Sequence, residues 1–185
     1  MRRIMKANST MQPEPVCIIA SYDSNYQADA MNAAWGGISD NDEIHLCLSK
    51  EHRTVKNILL RQDFSVSVAV EQYVAACDYV GLVSFDKQPD KVTRAGFTTV
   101  KSMEVDAPII EQLPYALLCR LISYDENTGH LYAKILARSI DDSILTDDKI
   151  DFAKFKPLAF DGDNHLYRLI GQPVAEAFSV GKKFL

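Results

Sequence analysis

The stretch DEIHLCLSKEHRTVKNI, residues 42–58, carries the pattern that decides the fold of this chain. Apolar residues alternate with others over positions 44–48, which is typical of a strand with one buried face. A polar, mostly cationic turn follows at 49–53, and Thr54 is expected to cap a helix that runs to Arg61. A strand, a charged turn and a helix start are therefore predicted within one short segment.

The predicted helix start is a candidate anion site. A helix N-terminus presents free backbone N–H groups and the positive end of the helix dipole, so it attracts phosphate. We predict that Arg53 and the hydroxyl of Thr54 hold a phosphate there. The alternative is a solvated arginine beside an ordinary helix cap. Further candidates at the rim of this site are Lys50, His52 and Lys56.

Composition excludes several classes of protein. With 185 residues, 47% hydrophobic and 24% charged, the chain resembles one ordinary globular domain. Its formal net charge of -5 argues against nucleic acid as the main partner, because contact with a phosphate backbone requires a basic surface. No apolar run approaches the roughly 20 residues that cross a bilayer, and residues 1–15 lack the core of a signal peptide. We therefore expect a cytoplasmic protein without a membrane partner.

Patterns typical of β-strands dominate the chain. The predicted strands are 16–22, 29–34, 43–49, 64–70, 116–124 and 130–140, and the predicted helices are 54–61, 71–80 and 89–95, the last ending at Gly96. Residues 125–129 predict a hairpin turn between two long strands. Many antiparallel strands with short helices between them indicate a mainly β protein whose sheet closes, or nearly closes, into a barrel.

The cysteines and histidines show no metal-ligand spacing. No CxxC, HxH or HxxxH pair occurs, and each cysteine has an apolar residue on at least one side. We interpret the cysteines as reduced core residues rather than disulfide partners, and we expect no metal site. The cysteines are Cys17, Cys47, Cys77 and Cys119, and the histidines are His45, His52, His130 and His165.

Motifs for holding a dinucleotide or for hydrolysis are missing from the sequence. No GxGxxG, no GxxxxGK[ST] and no GxSxG is present. A nicotinamide nucleotide, if one is used, would therefore have to meet an electron acceptor that is already bound. A resident flavin fits that requirement.

Seven segments, in this order, resemble the flavin-reductase-like family of FMN-binding split barrels, and most closely its flavoredoxin branch. They are PVCIIASYD, ADAMNAAWGGIS, LCLSKEHRTVKNI, DFSVSVAV, CDYVGLVSFDK, RAGFTTV and VDAPIIEQLPYALLCRLI. The similarity extends from about Pro13 to Gly181. It implies an N-terminal extension, residues 1–12, and a single split-barrel domain, residues 13–185, that binds FMN noncovalently as a homodimer.

The resemblance also implies which residues contact FMN. Asn32, Ala33, Ala34 and Trp35 correspond to the segment that lies along the polar edge of the flavin. Many relatives have Thr or Ser where this chain has Ala33 or Ala34, so backbone N–H groups would replace a hydroxyl contact. The pattern alone favours a core strand with a buried tryptophan.

Four further cofactor contacts are predicted, Ser49 from its place at the end of a strand beside the anion site and Lys87, His130 and Tyr167 from the resemblance. Lys87, in the pair Asp86-Lys87, corresponds to a lysine at the polar rim of the flavin, where a cation would stabilise the negative charge that develops on reduction. Ser49 would donate to the phosphate or the ribityl chain, and His130 and Tyr167 match positions near the cofactor. The alternatives are a surface ion pair for Asp86 and Lys87 and purely structural roles for His130 and Tyr167.

The function that the resemblance implies is an FMN-dependent oxidoreductase. It would transfer hydride or electrons between NAD(P)H, or a redox partner, and an acceptor. Two alternatives are an electron carrier without its own small-molecule substrate and a non-catalytic flavin-binding module. We predict no catalytic side chain, because the hydride goes to the ring of the cofactor and the protein supplies orientation and electrostatics.

Overall fold

The computed structural model describes residues 1–4, 6 and 11–185, so the predicted N-terminal extension lies partly outside the described residues. The strands are β1 (Glu14–Pro15), β2 (Cys17–Tyr22), β3 (Ala28–Ala33), β4 (Gly36–Asp40), β5 (Glu43–Cys47), β6 (Asp63–Val68), β7 (Thr99–Lys101), β8 (Pro108–Ile110), β9 (Tyr115–Tyr124), β10 (His130–Ile140), β11 (Leu145–Thr146), β12 (Lys149–Ile150), β13 (Leu158–Asp161) and β14 (Leu166–Leu169). The helices are α1 (Arg53–Arg61), α2 (Val74–Leu82), α3 (Lys91–Arg94) and α4 (Phe152–Phe155), with 3₁₀ turns at Glu71–Tyr73, Asp142–Ile144 and Val180–Phe184.

One antiparallel sheet of seven strands forms the body of the protein, in the order β3-β2-β6-β9-β10-β5-β4. Its two edge strands, β3 and β4, are consecutive in the chain and are joined only by Ala34 and Trp35. A connection this short spans only about 10 Å. The two edges must therefore lie close together, so the sheet curls into a split barrel. The prediction of a mainly β, nearly closed barrel is confirmed.

Strand β2 is buried along its whole length because each face of the sheet carries a core. Ile18 belongs to a core that includes Val80 of α2. Ile19, the next residue, belongs to the other core, together with Ile58 of α1 and Phe64 of β6. The main sheet therefore separates a core beneath α2 from a core beneath α1.

Helix α1 places its charged first turn beside strand β3. Val55 and Ile58 are fully buried and anchor the helix, while Arg53 begins it. The prediction that Thr54 caps the helix is wrong, because His52 occupies the N-cap position without a side-chain capping bond. Thr54 is the second helical residue, and its buried hydroxyl donates to Oδ2 of Asp29 at 2.6 Å.

The other predicted elements differ from the structure mainly at their ends. The hairpin turn at 125–129 is confirmed: the N–H of Gly129 donates to the carbonyl of Asp125 at 2.8 Å, and Gly129 has φ +75°. The helix predicted at 71–80 begins as a 3₁₀ turn, and that predicted at 89–95 is shortened to α3, with Gly96 at φ +82° just beyond its end. No helix within the described ranges is long and apolar enough to cross a membrane.

Candidate functional site

Two adjoining cavities open along the edge strand β3, the larger of them at the link from β3 to β4. The larger has a volume of about 430 Å³ and the smaller about 290 Å³. Four residues line both cavities, so the cavities adjoin, and we call the two together the seam cleft. These shared residues are Met31, Asn32, His52 and Gly81. Six of the predicted contact residues line the larger cavity: Asn32, Ala33, Ala34, Trp35, Ser49 and Tyr167.

The larger end of the seam cleft is mainly apolar. Its walls include Leu48 from the strand side, Leu82 from the end of α2 and Phe160 from β13. Trp35 lies at this end with 54% of its surface exposed, so the alternative of a buried core tryptophan is wrong. Its exposure follows from its place in the short connection between the two edge strands. An apolar cavity with a few polar groups suits a flat ring.

A polar chain of three side chains holds the wall of the larger cavity together. Nδ2 of Asn32 donates to the carbonyl of Cys77 at 3.1 Å and to the hydroxyl of Tyr167 at 3.3 Å. That hydroxyl donates to Oδ1 of Asp78 at 2.7 Å. Burial, and then the bond to Asp78, raise the pKa of Tyr167, so its hydroxyl keeps its proton. The chain links β3, α2 and β14, which lie far apart in sequence.

We call the smaller end of the seam cleft its cationic end because Arg53 and Lys91 line it, together with the carboxylates of Asp29 and Glu51. Arg53 lines it, with Nη1 at 3.0 Å from Oδ1 of Asp86 and Nε donating to Oδ1 of Asn57 at 3.3 Å. A guanidinium has five N–H donors, so these two bonds leave donors for an anion. The backbone N–H groups of Arg53 and Thr54, at the start of α1, have no acceptor within the helix. A charged side chain and free backbone donors therefore meet at this end.

A buried ion pair lies beneath the cationic end. Nζ of Lys91 is 3.0 Å from Oδ1 of Asp29, and both side chains are almost completely buried. Nζ also donates to the carbonyls of Val80 at 3.2 Å and Val83 at 3.1 Å, at the end of α2. Burial raises the pKa of Asp29, while Lys91 and the hydroxyl of Thr54 oppose that rise. Through these bonds the ion pair links α2, α3, β3 and the first turn of α1.

The segment DKQPDK, residues 86–91, contains two Asp-Lys pairs, and the structure places their lysines differently. Lys87, the predicted contact, is exposed in the turn after α2 and lines neither cavity. Lys91, four positions later in DKQPDK, lines the smaller cavity. The sequence pattern did not identify Lys91 as a lining residue, because each of the two lysines follows an aspartate and the two pairs look alike. The sequence carries no signal that separates the two lysines, because the choice depends on where α3 begins.

His130 also lies outside both cavities of its own chain. It is exposed on β10, where its ring meets that of His45 edge-on at 4.9 Å, and its partner across the sheet is Cys47. Cys47 was predicted as a core residue, but it is only partly buried and lines the larger cavity. The reason is the strand period: the side chain of Cys47 points away from the face on which Leu46 is buried.

The remaining cysteines are core residues. Cys17, Cys77 and Cys119 are free and buried. Burial raises the pKa of Cys17 to about 11 and the pKa of Cys77 and Cys119 to about 12. The described residues contain no group of three or more His, Cys, Asp or Glu side chains placed to hold a metal ion.

The three rim candidates are placed differently. His52 lines both cavities, whereas Lys50 and Lys56 are exposed and line neither. Burial, and then the nearby Lys91, lower the pKa of His52, although Asp29 opposes this shift. The imidazole of His52 is therefore the one rim candidate within the seam cleft.

The curled antiparallel sheet and its seam cleft define a split-barrel protein with a site suited to a ligand that is apolar at one end and anionic at the other. Residues 10–161 match the model of the flavin reductase like domain, and the chain belongs to that family. The comparison with curated protein sequences gave no match. Membership of the family supports a flavin as the bound cofactor and a redox function.

Solved structures of similar proteins agree with this assignment. Flavoredoxin of Desulfovibrio vulgaris (Miyazaki F) is 32% identical, with a TM-score of 0.93 over 98% of this chain and 100% of its own. Flavoredoxin from Methanosarcina acetivorans is 23% identical, with a TM-score of 0.90 over 100% of both chains. An FMN-binding domain of a flavin reductases-like enzyme from Shewanella baltica OS155 is 18% identical, with a TM-score of 0.79 over 88% of this chain and 89% of its own.

Proposed function

We propose that this chain binds FMN noncovalently in the seam cleft and acts as a flavin-dependent oxidoreductase. It would take reducing equivalents from NAD(P)H or from a redox protein and pass them to an acceptor. The observation that carries the proposal is the division of the cleft into an apolar end and a cationic end that share the lining residues Met31, Asn32, His52 and Gly81.

The residues present fit the chemical parts of FMN. Leu48, Leu82 and Phe160 offer apolar walls for the ring. Ser49 offers a hydroxyl to the ribityl chain or the phosphate, while Arg53 and the start of α1 offer charge and N–H donors to the phosphate. Because the Thr54 hydroxyl is donated to Asp29, the contribution of Thr54 would come from its backbone N–H.

FMN, when bound, supplies the ring that accepts and releases hydride or electrons. The side chains of this protein bind and orient it. Ala33 and Ala34 are small enough for the backbone of the seam to approach the polar edge of the ring, and the apolar walls exclude water. Tyr167 keeps its proton on the hydroxyl and fixes the side chain of Asn32. Orientation and electrostatics are therefore the contributions of the protein.

We further propose a homodimer. Lys87 and His130 lie outside the seam cleft of their own chain, on exposed surfaces. By resemblance to the family, residues from both chains close around the cofactor. Contacts from Lys87 and His130 would then be made with FMN in the cleft of the partner subunit.

The absorption spectrum of the purified protein tests the proposal most directly. With added FMN, we expect the two visible bands of a bound flavin and about one FMN per chain. Riboflavin, which lacks the phosphate, should bind much more weakly, because the cationic end is left without a ligand. Equal affinity for FMN and riboflavin in a titration would contradict the phosphate site.

An electron carrier is the second candidate function. The 32% identity to a flavoredoxin over 98% of the chain favours it. Oxidation of NADH or NADPH in the presence of FMN would support the reductase. Stoichiometric reduction by a redox protein, without NAD(P)H oxidation, would support the carrier. A non-catalytic flavin-binding module would show neither.

A further inference from the structure

A third cavity, of about 260 Å³, adjoins the larger cavity of the seam cleft at the link between β3 and β4. Ala34 and Trp35 line both cavities, and Gly36 continues the wall of the third. The opposite wall is formed by residues of the segment 11–15, among them Glu14 of β1. The N-terminal strand therefore borders the proposed FMN site at the link where the polar edge of the flavin is expected.

The carboxyl group of Glu14 is buried, and only one of its two oxygens is hydrogen-bonded. Glu14 is 6% exposed, and its Oε1 accepts a hydrogen bond from the N–H of Met11 at 3.1 Å. Its Oε2 is buried and has no hydrogen-bond partner among the residues that the structure describes. Buried polar atoms are nearly always hydrogen-bonded, because an oxygen that loses its water without gaining a donor destabilises the fold. Oε2 of Glu14 is therefore an acceptor that lacks a donor.

Strand pairing holds Glu14 next to the apolar wall of the larger cavity. Strand β1 is antiparallel to β13, and Glu14 lies opposite Phe160. Phe160 lines the larger cavity, where it offers an apolar wall to the flavin ring. Directly opposite residues of antiparallel strands lie on the same face, with their Cβ atoms about 4.5–5.5 Å apart. The sheet therefore places Glu14 beside a residue of the proposed ring site.

We propose that Oε2 of Glu14 accepts a hydrogen bond from the N3–H group of FMN. The inference rests on the proposed binding of FMN in the seam cleft. The polar edge of a flavin ring carries a single N–H donor, N3–H, between two carbonyl oxygens, and a donor is what Oε2 of Glu14 lacks. By resemblance to the family, this edge lies along residues 32–35. Since Ala34 and Trp35 also line the cavity of Glu14, a ring bound in this way would direct N3–H towards Glu14.

The side chains around the third cavity leave the donor to be supplied by a ligand. Ala34 carries only a methyl group, Gly36 has no side chain, and Trp35 is 54% exposed. Among the described residues, no lysine, arginine or histidine lines this cavity. A hydrogen bond from N3–H to a carboxylate is charge-assisted, so it is stronger than the same bond to a neutral carbonyl group. Glu14 would thus contribute to both the affinity for the flavin and its orientation.

Fluorescence titrations of the full chain with FMN and with 3-methyl-FMN test the proposal. A methyl group replaces the N3 hydrogen in 3-methyl-FMN, so the parent protein should bind it about ten- to a hundredfold more weakly than FMN. In Glu14→Gln, the amide has one oxygen, which the N–H of Met11 already occupies. The preference for FMN should then fall to about threefold or less. Glu14→Asp, whose side chain is shorter by one methylene group, should also lose most of the preference.

Glu43→Gln is the matched control, because it makes the same chemical change in β5 at a residue that lines none of the three cavities. It should keep the preference of the parent protein. Equal affinity of the parent for the two flavins, or an unchanged preference in a folded Glu14 variant, would overturn the bond to N3–H and leave the FMN site standing. A parent protein that binds neither flavin would overturn both this bond and the proposed function.

Discussion

Arg53 is the side chain on which the proposed phosphate contact depends most directly. Asp86 and Asn57 already hold it at the cationic end of the cleft. A charge-assisted contact to phosphate contributes about 1.5–3 kcal/mol, so Arg53→Ala should weaken FMN binding roughly ten- to a hundredfold. Riboflavin affinity should barely change. Titrations of both flavins, followed by fluorescence, measure the two constants.

Lys56→Ala is the matched control for Arg53. It removes the same charge from the same helix, but Lys56 is exposed and lines neither cavity. If general attraction between α1 and the phosphate were responsible, both variants would lose FMN affinity equally. If Arg53→Ala leaves the ratio of FMN to riboflavin affinity unchanged, Arg53 does not contact the phosphate.

Asp78 places a carboxylate in the wall of the larger cavity, and reduction adds negative charge to a bound flavin. The carboxylate should therefore oppose reduction. We expect Asp78→Asn to raise the midpoint potential of bound FMN by about 30 mV, equivalent to about 1.4 kcal/mol for a two-electron couple. Tyr167→Phe keeps the charge and should change the potential less. A spectroelectrochemical titration that gives equal potentials for parent and Asp78→Asn would contradict this role.

Sequence alone could identify Asn32, Ser49, Arg53 and Tyr167 as candidates, and the structure brings them to one cleft. It could not choose between the lysines of two identical Asp-Lys pairs, because the choice depends on where α3 begins. The exposure of Trp35 could not be predicted from the sequence either, since a tryptophan next to a strand is usually packed in the core. Only the curl of the sheet places it at the seam.

At the level of helices and strands, the Lys91–Asp29 ion pair joins α3 to β3 below the start of α1. Removing one partner of a buried ion pair leaves an uncompensated charge, which costs about 3–5 kcal/mol. We expect this loss for Lys91→Met in the free energy of unfolding measured in urea. The double variant Lys91→Met/Asp29→Asn should recover part of it, because the second substitution removes the stranded charge.

Lys134→Met is the corresponding surface control. Lys134 pairs with Asp42 at 2.6 Å, but the two side chains are 43% and 55% exposed. Surface ion pairs contribute about 0–1 kcal/mol, so this variant should unfold near the parent midpoint. A Lys91→Met protein as stable as Lys134→Met would show that the buried ion pair contributes no more to the free energy of unfolding than the surface pair.

Apolar alternation made the long strands predictable, whereas β4, β13 and β14 were missed. Strand β4 contains two glycines and polar residues, which do not indicate a strand. Gly36 is required there for close approach: a Cβ would lie 2.5 Å from Cδ2 of Leu46 and 2.7 Å from the carbonyl oxygen of His45. This reason becomes visible only once β4 is paired with β5.

At the scale of the whole molecule, the short link between the edge strands determines where the cleft forms. Ala34 and Trp35 connect the two edges, and α2, β13 and β14 close over the gap from elsewhere in the chain. The pattern of many strands with short helices, together with the resemblance to a family, predicted this barrel, but neither predicts which side chains meet in the cleft. Contacts between residues as distant as Asn32 and Tyr167 depend on tertiary structure.

Dimerisation and FMN binding should be coupled if residues of both subunits close around the cofactor. Coupling is reciprocal, so FMN must strengthen the dimer by the same factor by which dimerisation strengthens FMN binding. We expect light scattering with FMN to give a mass near twice the 20.7 kDa of one chain, and dilution without FMN to dissociate the dimer more readily. His130→Ala, at an exposed position, should reduce this coupling more than Lys50→Ala if His130 reaches the cofactor of the partner subunit. A monomer that binds FMN as tightly as the dimer would show that each cleft is complete within one chain.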